Sequence, residues 1–400
     1  MKINKTLLKG SIILLFSFGL FNFLNFVFQL LMARMLDIAD YGIFATLFAM
    51  IYMWAVFTES VQTIVVKYSS VENDKGKLND ILRKTMRKAF FFGAVMFFIY
   101  LVVAIPLTYL LHISYPLLAL NGLIIFSSFL LPVNRGIMQG KKRFGVFGLN
   151  MVLESVSKLV LAVAFVYIGW RVYGAILGTI LGTFFAFAIS FVPIRDIIKS
   201  KIKKAETVGI YQYAKPAFFV TFFIIVFYTM DIIIAKIVFS PETAGVYAIA
   251  SILSKIIFWG TQPISRAMFP LSSEGKKGKD SGNVFTNSLV LLSIGIACAL
   301  IVFYFFSDLI IRVFAGKVIE DASNILFYLG IATGITSITN LILLHKLSLN
   351  KVKGYGYLSM FLVIEILLLF YFSHSLIQFS FALIFSSMAF LWGSIMLLKD

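Results

Sequence analysis

The sequence predicts an all-α integral membrane protein with twelve transmembrane helices, arranged as two parallel-repeat six-helix bundles around a central cavity. Three observations predict this fold: a very apolar composition, long apolar runs along the whole chain, and a motif that occurs twice. Hydrophobic residues make up 60% of the 400 residues, and charged residues only 13%. Such a chain has too little polar surface to cover a soluble globule of this length.

Each apolar run has about 20 residues, enough to cross a hydrocarbon core of about 30 Å as a helix. The first six predicted spans are 11–32, 41–66, 89–111, 116–133, 148–169 and 172–193. The second six are 216–238, 243–264, 284–306, 322–344, 354–373 and 376–398. We therefore expect one bundle in residues 1–200 and the other in residues 201–400. A basic stretch at 194–215, which contains Gly209, is expected to link them.

A repeated motif indicates internal duplication. After the first span the chain reads ARML at 33–36 and DYG at 40–42; after the seventh it reads AKIV at 235–238 and GVY at 245–247. About 200 residues separate the two copies. Because each half has an even number of spans, both halves enter the membrane from the same side, which makes the repeats parallel. Such repetition is typical of transporters whose halves face a shared site.

The basic residues predict the orientation, since Lys and Arg in short loops stay on the cytoplasmic side. With a cytoplasmic amino terminus, 28 of the 35 Lys and Arg residues fall inside, Arg135 and Arg143 among them. The predicted outer side keeps Arg34, Arg171, Lys236, Arg312 and Lys317. We expect a plasma-membrane protein with both termini cytoplasmic. The net charge of +17 then reflects topology and contact with anionic lipids, and nucleic acid is not an expected partner.

Few residues are available for catalysis or metal binding. The single cysteine, Cys298, lies in the predicted ninth span, which excludes a disulfide. The histidines are scattered at span ends, at His112, His345 and His374. We therefore expect no metal site and no cofactor beyond a coupling ion, H⁺ or Na⁺, and we do not expect an enzyme.

Three segments carry a family resemblance. They are the motif at 33–42, the segment RGIMQG at 135–140 with Arg143, Phe144 and Glu154, and the stretch from Met230 and Asp231 to GVY at 245–247. In this order they resemble the polysaccharide-unit flippases of the multidrug/oligosaccharidyl-lipid/polysaccharide (MOP) exporter superfamily. The resemblance implies a twelve-helix fold and movement of a lipid-linked oligosaccharide to the outer leaflet, for cell-surface polysaccharide synthesis. It also implies glycosyltransferases or a polymerase of the same pathway as partners.

Candidate substrate-binding residues are the polar groups that a membrane-crossing phosphate would need, because charge inside a bilayer must be paired or hydrated. They are Arg34, Lys158, Lys255, Asn25 and Gln29. Asn25 and Gln29 share one face of the first span with Asn22, and hydrogen bonding between helices is the alternative role. Lys255 has no obvious partner on its own helix, which makes it a candidate for binding an anion. The alternative is that its side chain extends to the membrane surface. Lys236 is interpreted as an interface anchor.

Candidate ion-coupling residues are the acidic groups inside the spans: Asp231, Glu59, Glu154 and Glu365. A lone carboxylate in a cavity binds a cation or a proton, but pairing of Asp231 with Lys255 or Lys236 explains its presence equally well. Glu154 and Lys158 are four residues apart and therefore share a helix face. They either neutralise each other or line the cavity.

Two rival functions remain open from the sequence. A cation-coupled multidrug antiporter of the same superfamily would share the fold but prefer a cavity of carboxylates and aromatic rings. A membrane-embedded glycosyltransferase or polymerase would need positioned acid, base or metal residues, and the sequence shows no such constellation. Separately, Gly174, Gly178 and Gly182 repeat every four residues in the sixth span and predict close helix packing within the first bundle.

Overall fold

A computed structural model describes residues 5–205, 211–274, 279–349 and 354–396. Every regular element in these ranges is helical, so the predicted all-α class is confirmed. The helices of the first part are α1 (Lys5–Met35), α2 (Ile38–Val71), α3 (Lys75–Leu111), α4 (Tyr115–Gly122), α5 (Ile124–Gly140), α6 (Phe144–Phe165), α7 (Arg171–Ser190) and α8 (Arg195–Ile198). Those of the second part are α9 (Tyr211–Val238), α10 (Pro241–Ser254), α11 (Ile256–Glu274), α12 (Lys279–Ala315), α13 (Glu320–Ser348), α14 (Leu358–Tyr371) and α15 (Leu376–Met396).

Ten helical stretches among the described residues are long and apolar enough to cross a membrane. The longest, Phe144–Ile198, holds the predicted fifth and sixth spans, because α6 and α7 are joined by a π-helical turn. In that turn Gly169 has φ 98°, a conformation that glycine adopts without strain. The predicted eleventh span corresponds to a shorter apolar helical stretch at Tyr355–Tyr371. The chain is thus a multi-pass helical membrane protein.

One compact unit comprises Met1–Leu36 and Trp54–Gln212. Its tightest packing is between α6 and α7, where glycines let two backbones meet. A Cβ atom on Gly178 would lie 2.4 Å from the backbone nitrogen of Ala162, and one on Gly182 would lie 2.5 Å from that of Lys158. Real Cβ atoms do not approach backbone so closely, so the predicted packing role of the glycine ridge is confirmed.

The other compact unit comprises Asp37–Met53 and Tyr213–Asp400. It therefore includes the first half of α2, which the predicted division into residues 1–200 and 201–400 had placed in the first bundle. The reason is a close approach of α2 to α10: a Cβ atom on Gly245 would lie 1.9 Å from the carbonyl oxygen of Ile38, and one on Gly42 would lie 2.9 Å from the nitrogen of Gly245.

The predicted linker at 194–215 is only partly described. Gly209 lies outside the described residues, whereas the segment from Arg195 to Ala205 belongs to the first unit. Ile194, Ile197 and Ala205 are buried there. This part of the predicted linker is therefore held against the first unit by three buried residues, while positions 201–204 are exposed.

Replacing Gly245 with Val tests the α2–α10 contact. The new side chain overlaps the backbone of Ile38, so we expect the variant to lose about 1–3 kcal/mol of stability through overpacking. Thermal unfolding of the detergent-solubilised protein measures this loss. Gly260→Val in α11 is the matched control, because a Cβ atom there has nothing within 4 Å. Equal unfolding midpoints for the two variants would contradict the assigned contact.

Candidate functional site

The first unit contains a buried arginine that the sequence analysis had assigned to a cytoplasmic loop. Arg135 is only 7% exposed and lies within α5. Its Nε donates to Oδ1 of Asn150 at 2.8 Å, and its Nη2 donates to Oε2 of Glu154 at 2.7 Å. The predicted fourth span, which ended at residue 133, was therefore too short: α5 continues to Gly140 and includes Arg135.

Asn150 connects this pair to neighbouring helices of the same unit. Its Nδ2 donates to the carbonyl oxygen of Ala186 in α7 at 2.8 Å, while Asn134 donates to Oγ of Ser190 at 2.7 Å. A buried polar group without a partner costs about 1–3 kcal/mol, so these bonds stabilise a polar core inside apolar helices. Sequence reasoning missed Asn134 and Asn150 because neither is ionisable.

Lys158 and Asn25, both predicted site residues, are brought together by α1 and α6. Lys158 is buried, donates a hydrogen bond to Oδ1 of Asn25, and places its Nζ 4.7 Å from the centre of the Phe28 ring. Asn25 in turn donates to Oγ of Ser155 at 3.3 Å. Glu154, the other member of the predicted pair, forms its ion pair with Arg135.

Gln29 and Asn22 complete the predicted polar stripe on α1, and they differ in environment. Asn22 is exposed. Gln29 is 7% exposed, and its amide oxygen Oε1 has no hydrogen-bond partner among the described residues. An unpartnered buried acceptor is costly, which makes Gln29 a candidate acceptor for a ligand hydroxyl.

The second unit holds an ion pair between two predicted site residues. Nζ of Lys255 lies 2.8 Å from Oδ1 of Asp231, and both side chains are buried. Oδ2 of Asp231 accepts hydrogen bonds from Tyr247 at 3.0 Å and from Ser251 at 2.6 Å. Asp231 is therefore paired with Lys255 and is not a lone carboxylate. The partner of Lys255 lies on α9. The sequence had offered no partner for Lys255 on its own helix.

A small cavity lies against this ion pair inside the second unit. Asp231 and Lys255 line it together with the hydroxyl side chains of Thr333, Thr336 and Ser387. The Nζ of Lys255 is also 4.8 Å from the centre of the Tyr228 ring, and that ring lines the same cavity. The cavity thus combines one carboxylate, one ammonium group and several hydroxyl groups with the apolar side chains of Phe227, Ala332 and Leu383.

Glu365 on α14 is the most deeply buried acidic residue of the predicted set, with no exposed surface. Neither of its carboxyl oxygens has a hydrogen-bond partner in the part of the chain that the structure describes. It lies within electrostatic range of Asp231 and Lys255. The structure therefore groups Glu365 with the ion pair.

Three further predicted residues lie elsewhere. Arg34 and Glu59 are exposed and each makes contacts within the structure. Lys236, interpreted as an interface anchor, is only 4% exposed. That interpretation is corrected, because a buried side chain cannot extend to a membrane surface. Arg34 and Lys236 occupy matching places in the sequence motif yet differ in burial.

These features define a class of protein: a multi-pass helical membrane protein that keeps ionisable side chains buried among its apolar helices. Such buried charge is typical of transporters. The model of the polysaccharide biosynthesis protein family matches residues 31–324. The chain therefore belongs to that family.

Solved structures share the fold. An inward-facing multidrug resistance MATE family transporter of the MOP superfamily aligns with a TM-score of 0.70 at 14% identity, over 94% of this chain and 93% of that one. The lipid II flippase MurJ, in an inward closed conformation, aligns with a TM-score of 0.72 at 15% identity, over 97% and 87%. A MOP superfamily transporter from Pyrococcus furiosus gives 0.60 at 15%, over 98% and 95%. A search of curated proteins found no match.

Removing one member of the buried ion pair tests its structural role. We expect Asp231→Leu to lose about 3–5 kcal/mol, because it leaves the Lys255 charge buried without its carboxylate. The double variant Asp231→Leu/Lys255→Met should recover most of that loss, since an apolar pair of similar volume has no charge to compensate. Thermal unfolding in detergent compares the three proteins. A single variant as stable as the wild type would argue against the pair.

Proposed function

We propose that the protein translocates a polyprenyl-(di)phosphate-linked oligosaccharide from the cytoplasmic to the outer leaflet by alternating access. The observation that carries the proposal is the cluster of two buried cations, Arg135 and Lys158, with the half-buried Glu154, in a member of a polysaccharide biosynthesis family. Two of its three ionisable groups are cations. A net positive interior suits an anionic headgroup, which cannot cross hydrocarbon without compensation.

The proposed architecture has twelve spans in two parallel six-helix bundles, with both termini cytoplasmic and a central cavity. In support, the ten apolar stretches become twelve spans when α6 and α7 are counted separately and Tyr355–Tyr371 is included. The parallel repeat follows from six spans in each half. Rocking of such halves about a shared site is the common basis of alternating access.

Lys158 is the proposed phosphate ligand, with Asn25 and Gln29 on the neighbouring helix as polar contacts for the carrier or its sugar. The ammonium group of Lys158 donates to a neutral amide, and a phosphate would be a stronger acceptor for it. Arg34 is exposed at the end of α1 and is proposed to contact the headgroup on release. Lys255 is a weaker candidate than the sequence indicated, because binding an anion there requires separation from Asp231.

Asp231, Lys255 and Glu365 are proposed as the ion-coupling group. An ionised carboxylate without hydrogen bonds would cost several kcal/mol at the Glu365 position, so the site accommodates the protonated acid. Loss of that proton would draw Lys255 towards Glu365 and away from Asp231, which changes the cavity that Asp231 and Lys255 line. We favour H⁺ over Na⁺ because an ammonium group already serves as the cation on Asp231. Glu154, engaged by Arg135, and the exposed Glu59 are secondary candidates.

The multidrug antiporter remains the second candidate, because a MATE family transporter has the same fold. The family match favours the flippase. Glycosyltransferases or a polymerase that make and use the lipid-linked sugar are the proposed partners. A liposome assay that offers a lipid-linked oligosaccharide in one arm and a lipophilic cation in the other decides between the two functions.

Lys158→Gln tests the proposed phosphate site. We expect at least a tenfold loss of oligosaccharide translocation in liposomes, because a neutral amide cannot compensate the phosphate charge. Lys199→Gln is the control, since this exposed lysine carries the same charge outside the site. Both variants should elute as folded protein on size exclusion. Wild-type translocation by Lys158→Gln would remove Lys158 from the site.

Glu365→Gln tests the coupling proposal. The amide resembles the protonated acid in shape and charge, so we expect normal folding but no acceleration of translocation by an imposed proton gradient. The measurement compares initial rates with and without the gradient, at constant sodium. A second series varies the sodium gradient at constant pH. If the variant still responds to protons as the wild type does, Glu365 is not the coupling residue.

A further inference from the structure

The chain that follows α7 is fixed to the first turns of α3. Asn79 is 1% exposed, and its Nδ2 donates to the carbonyl oxygens of Ile198 at 3.1 Å and Ser200 at 2.7 Å. The backbone nitrogen of Ala205 donates to Oδ2 of Asp80 at 2.9 Å. These bonds hold the amino-terminal end of α3 in a defined position.

The same two buried residues also hold basic side chains on the exposed side of α3. Oδ1 of Asn79 accepts from Nε of Arg83 at 3.2 Å, and Oδ2 of Asp80 forms an ion pair with Nζ of Lys84 at 2.6 Å. With Nε of Arg83 engaged, its two terminal nitrogens remain as the paired donors that suit a phosphate. Arg83 is thus positioned by the fold rather than left to move as an isolated surface side chain.

Four cations form what we term the basic patch: Arg83, Lys84, Arg87 and Lys88, all exposed. Residues four apart lie one above the other on a helix, so Arg83 with Arg87 and Lys84 with Lys88 form two adjacent rows. Lys84 is partly neutralised by Asp80, which leaves a net positive surface on one side of α3. No acidic side chain lies between positions 83 and 88 in the sequence.

Exposed aromatic side chains follow the basic patch directly. Phe91 and Phe92 are 62% and 52% exposed, and Phe98 further along α3 is 65% exposed. Large apolar groups that remain exposed on a membrane-crossing helix indicate the side that contacts lipid tails. The basic patch therefore lies on the lipid-facing side of α3.

The length of α3 places the basic patch at headgroup depth. From residue 89 to residue 111 a helix rises about 33 Å, close to the thickness of the hydrocarbon core of about 30 Å. Positions 83 to 88 then lie within about 9 Å of the hydrocarbon boundary, where phospholipid phosphates are found. Since basic residues stay on the cytoplasmic side, this is the cytoplasmic leaflet, which is rich in anionic lipids.

We propose that the basic patch is a binding site for the phosphate of an anionic phospholipid, with Arg83 and Arg87 as the principal ligands and Asn79 as the residue that positions Arg83. Lys88 adds charge at the same depth. The acyl chains lie along Phe91, Phe92 and the apolar surface beyond them. This site is separate from the proposed oligosaccharide site, and it does not depend on the transported substrate.

Native mass spectrometry of the full-length protein tests the site, with phosphatidylglycerol and phosphatidylcholine as probes after delipidation in detergent. The wild type should retain phosphatidylglycerol in preference to phosphatidylcholine. Each basic residue near an anionic surface contributes about fivefold in affinity, so Arg83→Gln/Arg87→Gln should bind phosphatidylglycerol about thirtyfold more weakly. Added phosphatidylglycerol should also raise the thermal unfolding midpoint of the wild type but not of this variant.

The matched control is Lys67→Gln/Lys199→Gln, which removes two exposed charges of the same sign outside the basic patch. It should keep wild-type retention of phosphatidylglycerol. An equal loss in both double variants would mean that binding follows net charge alone, and it would overturn the site. Wild-type retention by Arg83→Gln/Arg87→Gln, or equal retention of the two lipids by the wild type, would overturn it as well.

Discussion

The cost of holding charge away from water is the constraint on which the interior of this protein depends. Most of the buried ionisable side chains described in the site have a partner that lowers this cost, whereas the oxygens of Glu365 lack hydrogen bonds among the described residues. Arg135 has Glu154, Lys255 has Asp231, and Lys158 has the amide of Asn25. Since breaking a buried ion pair is far more costly than replacing both partners, these groups act as units rather than as separate charges.

The two units meet this constraint in different ways. In the first unit, amide oxygens of Asn25 and Asn150 accept from the buried cations beside the carboxylate of Glu154, and the named charges sum to a net positive value. In the second unit, Asp231 receives an ammonium group and two hydroxyl groups, and a second carboxyl group lies nearby. The first arrangement is suited to an anion, and the second to a proton or cation. This contrast is what the proposed division into substrate binding and ion coupling rests on.

Composition and periodicity predicted much of the fold, because apolar length and helical packing are properties of single segments. The packing role of the glycine ridge of α7 follows from such a local pattern. Partners on different helices do not: Asp231 and Lys255 are 24 residues apart, and nothing in either segment selects one interhelical neighbour over another. Arg135 was misplaced for a related reason. A charged residue ends an apolar run in the sequence, whereas a helix continues if that charge finds a buried partner.

The contact between Gly42 and Gly245 joins the two copies of the motif that occurs twice in the chain. Neither glycine can acquire a side chain without overlapping the backbone of the other copy or of its flanking turn. A substitution at either position therefore disturbs the same contact, although about 200 residues separate the two glycines along the chain.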